Sequence, residues 1–395
     1  MSRLEELIAE LCPDGVEYKK IKDSYKRLQG TPITAGKMKE IDKIDGDIRI
    51  FAGGKTVISA FEKDIPKANI TRVPAVLVQS RGVIDAVYYE EPFTFKNEMW
   101  AYTAEDKTSV KYLYYVLKRN IQQFRDAASG MGSLPQISLK VTEDFLIPLP
   151  PLPVQREIVR ILDNFTELTA ELTAELTAEL TARKKQYEYY RNELLTFSGT
   201  VPMVILGDVS SIYDGTHKTP KYKSEGVRFV SVENISALKQ SRKYISTEDY
   251  EKLYKVKPQK NDVFMTRIGS IGVCAVVEDN EPLAYYVTLT LIRPNQEHIN
   301  SRFLKHALES IHGKDELRKR TLIHATPIKI NLGEIGKISI PLPSLEEQER
   351  IVNILDRFDA LCNDLTSGLP AEIEARRKQY EYYRDKLLTF KEVSK

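Results

Sequence analysis

The chain repeats itself, and the repeat limits what it can fold into. Residues 148–168 read PLPPLPVQREIVRILDNFTEL and residues 341–361 read PLPSLEEQERIVNILDRFDAL, identical at 12 of 21 positions. Residues 182–197 (ARKKQYEYYRNELLTF) and 375–390 (ARRKQYEYYRDKLLTF) agree at 13 of 16. Gln155 and Gln348 are separated by the same 193 positions as Tyr187 and Tyr380, so both copies keep one length from PLP to LLTF. Self-similarity on this scale marks an architecture of repeated units. The stretches ahead of each copy match weakly but in the same order. Gly30-Thr31-Pro32 parallels Gly215-Thr216, residues 76–82 parallel 263–269, and Ile137 and Leu139 parallel Ile330 and Leu332. The chain alternates a variable block with a near-identical helical segment, twice.

The helical segments are the clearest local prediction. PLPPLP cannot be helical, because proline lacks an N–H donor and biases the residue before it away from α. A helix is therefore expected over 153–197. Ile158, Ile161, Leu162, Phe165, Leu168 and Leu172 recur at steps of three and four, an amphipathic stripe. TAEL follows three times, ending at Leu172, Leu176 and Leu180, and Ala, Glu and Leu are strong helix formers. About 44 residues at ~1.5 Å each give about 66 Å, too long for one globular layer. Such a helix needs a partner, and residues 345–366 repeat the stripe. Ser367-Gly368-Leu369-Pro370 predicts a kink or restart before the helix resumes to about residue 393. The two helices are expected to pair as an antiparallel coiled coil. The variable blocks read as α+β. Strands are expected over 48–52, 75–79, 83–89 and 98–103, and again over 227–232, 263–267, 272–277 and 283–292. One helix closes each block, over 110–127 and 301–319. The expected fold is α+β, with two α+β domains (1–152 and 199–344) separated and linked by two long helices (153–198 and 345–395) in pseudo-twofold relation.

Composition excludes more than it suggests. The 395 residues fit two or three domains at about 150 each. With 42% hydrophobic and 29% charged residues the chain reads as a soluble globular protein. Lys+Arg number 58 against 56 Asp+Glu, so any nucleic-acid surface must be local. No apolar run approaches the ~20 residues of a membrane span, and the charged N-terminus is not a signal peptide, which points to the cytoplasm. Cys12, Cys274 and Cys362 are odd in number and far apart, against a disulfide framework or a zinc site. There is no GxxxxGK[ST] loop and no GxGxxG after a strand. No FxGxG plus NPPY/F pair is present, so this chain is not expected to bind S-adenosylmethionine. All five histidines lie in the second half, without a HExxH partner. No catalytic or metal site is expected.

The duplicated PLPxLxxQxxIVxILDxF segment, leading into a helix that ends KQYEYYRxxLLTF, resembles the specificity subunit of type I restriction–modification enzymes. The TAEL tandem resembles the IC-type members. The resemblance spans essentially the whole chain; the variable blocks match in architecture only. It implies that each variable block is a target recognition domain reading one half of a bipartite double-stranded DNA site. It implies that the helices hold two modification (methyltransferase) subunits, that two restriction subunits can join, and that no membrane is involved. S-adenosylmethionine, ATP and magnesium are then expected in the partners and no cofactor in this chain. The rival readings are a coiled-coil scaffold without sequence-specific DNA binding, and a stand-alone nuclease or methyltransferase.

Three sets of residues are singled out. Leu168, Leu172, Leu176 and Leu180 belong to the spacer helix. Each TAEL adds ~6 Å and about 40° beyond a full turn, against about 3.4 Å and about 35° per base pair of B-DNA, so the copies suit a ruler between two DNA-reading blocks. Arg183, Tyr187, Tyr190 and Arg191, with their copies Arg376, Tyr380, Tyr383 and Arg384, form an aromatic–basic cluster. It suits intramolecular packing, a partner-subunit surface or phosphate contact. The candidate DNA-binding residues are Gln29, Thr31 and Lys37 in one loop and Thr216, His217, Lys218, Lys221 and Lys223 in its counterpart. Arg81 and Arg267, each just past a strand and beside a glycine, join them, with Lys55, Arg318 and Arg320. Trp100 is expected in the core, and the helix over 4–11 against the C-terminal helix.

Overall fold

The computed structural model describes residues 2–129, 134–197, 199, 201–363 and 368–393. The chain divides into two compact units, Met1–Glu175 with Ile373–Lys395, and Leu176–Glu372. The division falls inside the second TAEL copy, within a single helix that runs Leu152–Leu194.

In the first unit a four-stranded antiparallel sheet has the order Lys26–Leu28, Trp100–Thr103, Ala75–Gln79, Asp85–Tyr89. A three-stranded sheet follows the order Val57–Ala60, Ile48–Phe51, Phe93–Phe95, its last pair parallel. Ala75–Gln79 is buried along its whole length, which explains a near-continuous apolar run in place of alternation. Helix Lys107–Arg119 starts at Asp106, whose carboxylate accepts from the Thr108 N–H at 2.7 Å. Its Val110, Leu113 and Val116 share a core with Val76, Val78 and Tyr102. Trp100 is in that core, its indole donating to Thr142 Oγ1 at 2.8 Å. Leu4 and Leu388 belong to the same core, so the N-terminal helix Arg3–Leu11 packs against the end of the last helix. Val16 N–H donates to Lys391 O at 2.8 Å and Val393 N–H to Val16 O at 3.1 Å.

The second unit repeats this topology. Its four-stranded sheet has the order Ser210–Asp214, Leu289–Pro294, Val263–Thr266, Cys274–Val276. Its three-stranded sheet has the order Tyr244–Ile245, Val227–Val230, Leu283–Tyr285, again with the last pair parallel. The single strand expected over 283–292 is two strands, because the chain crosses from one sheet to the other between them. The closing helices are also broken in two. Asn120 ends Lys107–Arg119 by returning its side-chain amide to Val116 O, and Ser310 ends Ser301–Glu309 and caps the next helix at Gly313 N–H.

The long helices follow the repeat. The second copy is two helices, Leu345–Asn363 and Leu369–Leu387. The restart expected near residue 367 is at Leu369, and residues 364–367 lie outside the described residues. Gln155 Nε2 donates to Pro150 O at 2.8 Å and Gln348 Nε2 to Pro343 O at 2.9 Å, fastening each helix to its proline lead-in. In the first unit Phe165 stacks on Tyr383 at 5.6 Å and Thr166 Oγ1 meets Tyr380 OH at 3.1 Å. In the second Phe358 stacks on Tyr190 at 5.5 Å, and Lys184 and Arg183 lie near enough to bear on the buried Cys362 thiol. Numbers rise along one helix as they fall along the other, so both pairings are antiparallel. Phe165 and Phe358 are repeat equivalents, as are Tyr190 and Tyr383. Each unit therefore joins the front of one helical copy to the back of the other, a reciprocity that follows from the internal duplication.

Of the spacer leucines, Leu168 is 61% exposed while Leu176 is 8% exposed. A four-residue step drifts ~40° per repeat around a 3.6-residue helix, so the row cannot stay on one face. The expected stripe is corrected at Leu168.

Candidate nucleic-acid interface

The weakly matched Gly-Thr pairs occupy equivalent places. A Cβ on Gly30 would lie 2.4 Å from Phe95 O, and one on Gly215 2.4 Å from Tyr286 O. No side chain fits there. Thr31 N–H donates to Phe95 O at 2.7 Å and Thr216 N–H to Tyr285 O at 3.2 Å, pinning each loop to the same strand end. Thr31 itself is fully buried; its hydroxyl meets Thr94 Oγ1 at 2.7 Å and accepts from Asn69 N–H at 2.9 Å. It holds the loop and does not face a ligand. Gln29 is exposed. Lys37, in the helix capped by Thr34, pairs with Glu40 at 2.7 Å.

In the first unit Gly54 N–H donates to Arg81 O at 3.0 Å. Both Gly54 (φ +72°) and Gly82 (φ +77°) need the left-handed region. This brings the turns carrying Lys55 and Arg81 together, with both side chains exposed. In the second unit Thr216, His217, Lys218, Lys221 and Lys223 lie on one loop, which rejoins the sheet where Lys223 N–H meets Tyr244 O at 2.8 Å. His217 Nε2 sits 2.9 Å from Asp214 Oδ2.

Arg81 and Arg267 are not equivalents. Arg81 bridges to Gln136 while Ile268 bridges to Lys329. Ile137 N–H reaches Ser80 O while Ile330 N–H reaches Arg267 O. The register makes Ser80 the counterpart of Arg267. Arg267 is 8% exposed, so the expected base contact is corrected. Its Nε donates to Val287 O at 3.1 Å, Nη1 to Ile330 O at 3.1 Å, and Nη2 to Asp214 at 3.2 Å. A buried guanidinium needs all its donors filled, and here they tie three loops together. Ser80, fully buried, makes one comparable bond, to Glu98 O. At the end of helix Ile311–Arg320, Arg318 is exposed beside Asp315, whereas Arg320 is tied to the buried Glu316 at 2.8 Å.

The aromatic–basic ends of the helices are largely spent inside each unit. Tyr187 and Arg191 are each 6% exposed. Tyr187 OH lies 3.2 Å from His306 Nδ1, and His306 Nε2 lies 2.8 Å from Asp356 Oδ1. Burial pushes the Tyr187 phenol up to about 12. Arg191 stacks over Tyr187 and approaches Glu309 at 3.9 Å. Tyr190 and Tyr383 stack on phenylalanines, and Tyr380 reaches Thr166. Arg183 binds Glu179, Arg376 binds Gln379, and Arg384 binds Asp385. The aromatic residues that project furthest are Tyr189 at 59% and Tyr382 at 64% exposure, repeat equivalents in matching edge-to-face pairs with Tyr190 and Tyr383. Helical geometry holds the signal for them: Tyr187 is buried, and Tyr189 lies two positions on, about 200° around the helix, so it must point away.

A family model described as "Type I restriction modification DNA specificity domain" matches the chain twice, over residues 13–182 and 199–375. The chain belongs to that family.

It is similar to the type I restriction enzyme EcoR124I/EcoR124II specificity subunit of Escherichia coli, 37% identical over 302 residues, covering 72% of each chain. A putative type I restriction enzyme specificity subunit of Haemophilus influenzae is 34% identical over 309 residues, covering 75% of this chain and 77% of its own. Two solved structures share the fold. One is the type I restriction–modification S subunit from M. genitalium, with TM-score 0.51, 17% identity and coverage of 95% and 96%. The other is a chain from work on complex assembly and conformational transition of a type I system, with TM-score 0.65, 17% identity and coverage of 96% and 98%. As a member of the specificity family, this chain is a non-catalytic DNA-recognition subunit. Among the described residues no group of three His, Cys, Asp or Glu side chains is placed to hold a metal ion, and no helix is long and apolar enough to cross a membrane.

Proposed function

We propose that each unit of this specificity subunit reads one half of a bipartite double-stranded DNA site. The observation that carries this is one sheet topology built twice, with unlike loops on matching strand ends. An asymmetric bipartite target needs two readers of one frame and two chemistries. Lys55 and Arg81 in the first unit, and His217, Lys218, Lys221, Lys223 and Arg318 in the second, are the exposed candidates for base and phosphate contact. Gln29 and Lys37 in the first unit and Arg320 in the second are further candidates of the same kind.

Two methyltransferase subunits are held by the near-identical helix ends, with Tyr189 and Tyr382 as equivalent anchors. Exposed tyrosines in matched settings suit two copies of one partner. Restriction subunits join for cleavage. S-adenosylmethionine, ATP and magnesium belong to those partners, and the complex works in the cytoplasm, where it meets DNA. The TAEL copies set the spacing between half-sites, in the manner of IC-type members.

Selection from randomised duplex DNA at about 0.15 M salt, using the chain purified with its co-encoded methyltransferase subunit, tests this. Two constant half-sites around a fixed unread spacer are expected. Removing residues 173–176 should change the spacer by about one base pair and leave both half-sites intact. Binding with no enriched motif would return the chain to the scaffold reading, and an unchanged spacer would reject the ruler.

A further inference from the structure

The second unit carries an element that the sequence pattern did not mark. After helix Ile311–Arg320 the chain forms a two-stranded ribbon, Thr321–Leu322 paired with Lys329–Ile330. Its tip exposes Leu322 (45%), Ile323 (61%) and Ile328 (37%). Three exposed branched aliphatics in seven residues form a patch that calls for a partner surface.

The base of the ribbon is fixed. Ile330 is fully buried, its N–H donates to Arg267 O at 3.0 Å, and Gly269 N–H donates to Ile328 O at 2.9 Å. Arg267 clamps Ile330 O with one nitrogen and Asp214, at the foot of the His217 loop, with another. An apolar tip and a basic loop are thus locked to one guanidinium.

The surrounding charge is net basic. Residues 311–330 contain Lys314, Arg318, Lys319, Arg320 and Lys329 against Asp315, which pairs with Arg318, and Glu316, which pairs with Lys319 and Arg320; residues 214–225 contain Lys218, Lys221 and Lys223 against Asp214 and Glu225. Protein interfaces are rimmed by mixed polar groups, whereas a polyanion meets a cationic rim. The major groove, ~12 Å wide, admits a two-stranded β-ribbon, and the thymine methyl is the apolar feature it offers.

We propose that this ribbon enters the major groove and that Leu322, Ile323 and Ile328 read thymine methyl groups in the second unit's half-site, with Arg267 as the positioning residue. This rests on the DNA-recognition role and assigns residues within it. The first unit has a matching return at Ser129 and Gln136, with Leu134 exposed; residues 130–133 lie outside the described residues.

The test uses the full chain with its methyltransferase subunit. The parental protein is first run through DNA selection. A parental protein that enriches no motif overturns the recognition reading itself, before any variant is compared. Leu322→Ser and Ile323→Ser together should weaken binding to the parental site at least tenfold. They should relax thymine preference in one half-site and leave the other unchanged. Ile323→Val should fall between. Replacing thymine by deoxyuridine in that half-site should weaken the parental protein about fivefold and add nothing to the double variant. An unchanged selection, or a second half-site without thymine, overturns the proposal. So does a double variant that keeps its DNA selection but releases the methyltransferase subunit, which would make the ribbon a protein-docking surface. Both changes are at exposed positions, and a thermal melt within a few degrees of parental confirms folding.

Discussion

Ser80 and Arg267 occupy one station in the two units and hold it in different ways. In the first unit a small hydroxyl fastens one carbonyl. In the second a buried guanidinium fastens two carbonyls and a carboxylate and secures a ribbon. Around them the frame is the same: equal sheet orders, one parallel strand pair each, and a glycine against the same carbonyl region. Asp163 and Asp356 repeat the lesson. Asp163 pairs with Lys111 at 2.9 Å and accepts from Tyr115, while Asp356 takes Arg302 at 2.7 Å and His306 at 2.8 Å. The duplication retains backbone geometry and the place of each anchor. It leaves the chemistry of the anchor free, and the loops with it.

The largest contrast is expected at the clamp. Arg267→Met strips the guanidinium from two carbonyls and from Asp214, a half-buried carboxylate that keeps Gly215 N–H and His217, and should destabilise the second unit by about 3 kcal/mol. Ser80→Ala should cost about 1 kcal/mol. Urea denaturation of both variants measures the difference, and equal losses would break the asymmetry. Next come the glycines, where the units should agree. Gly30→Ala and Gly215→Ala each force a methyl onto a carbonyl oxygen, and overpacking of that kind costs about 1–3 kcal/mol. Unequal losses would show that the frames differ at the loop root.

A smaller contrast is expected at the aspartates. Burial alone would raise the Asp356 carboxyl, but hydrogen bonds from His306 and Arg302 outweigh it and hold it below the usual range. Asp356→Asn should cost about 1–2 kcal/mol and Asp163→Asn less than about 1, since partly exposed pairs are screened. The Asp356 contribution is complete above the unfolded carboxylate value of about 3.9 and fades as pH falls through its lower folded value. Denaturation at pH 7 should therefore separate variant from parent, and the gap should close below about pH 4. The smallest effect on stability, under about 0.5 kcal/mol, is expected for Tyr189→Ala and Tyr382→Ala. Co-purification should nevertheless show each one loosening the methyltransferase subunit, to a similar degree.

Much of this was legible in the chain. The constant 193-residue offset announced two copies of one frame, and three- and four-residue periodicity located the helices. Buried strands such as Ala75–Gln79 stood out as apolar runs. The loop residues were harder. Thr31 and Thr216 look alike in sequence, yet Thr31 is sealed against Thr94, a residue 63 positions away. Arg81 and Arg267 look matched because each follows a strand within two residues of a glycine; the alignment of 76–82 with 263–269 sets Ser80 against Arg267, the strand register agrees, and one position moves a side chain to the opposite face.

What the sequence determined by itself was local and periodic: the duplication, the helical stripes, the proline lead-ins and the absence of catalytic motifs. These depend on neighbours within a few residues, which a sequence displays directly. The tertiary structure decided which tyrosines face outward, which arginine is a clamp, and where an apolar ribbon meets a basic loop. Those outcomes depend on partners brought from tens of residues away, such as Val287 and Ile330 on Arg267. Burial and hydrogen-bond satisfaction, which no local pattern encodes, assign each side chain its role.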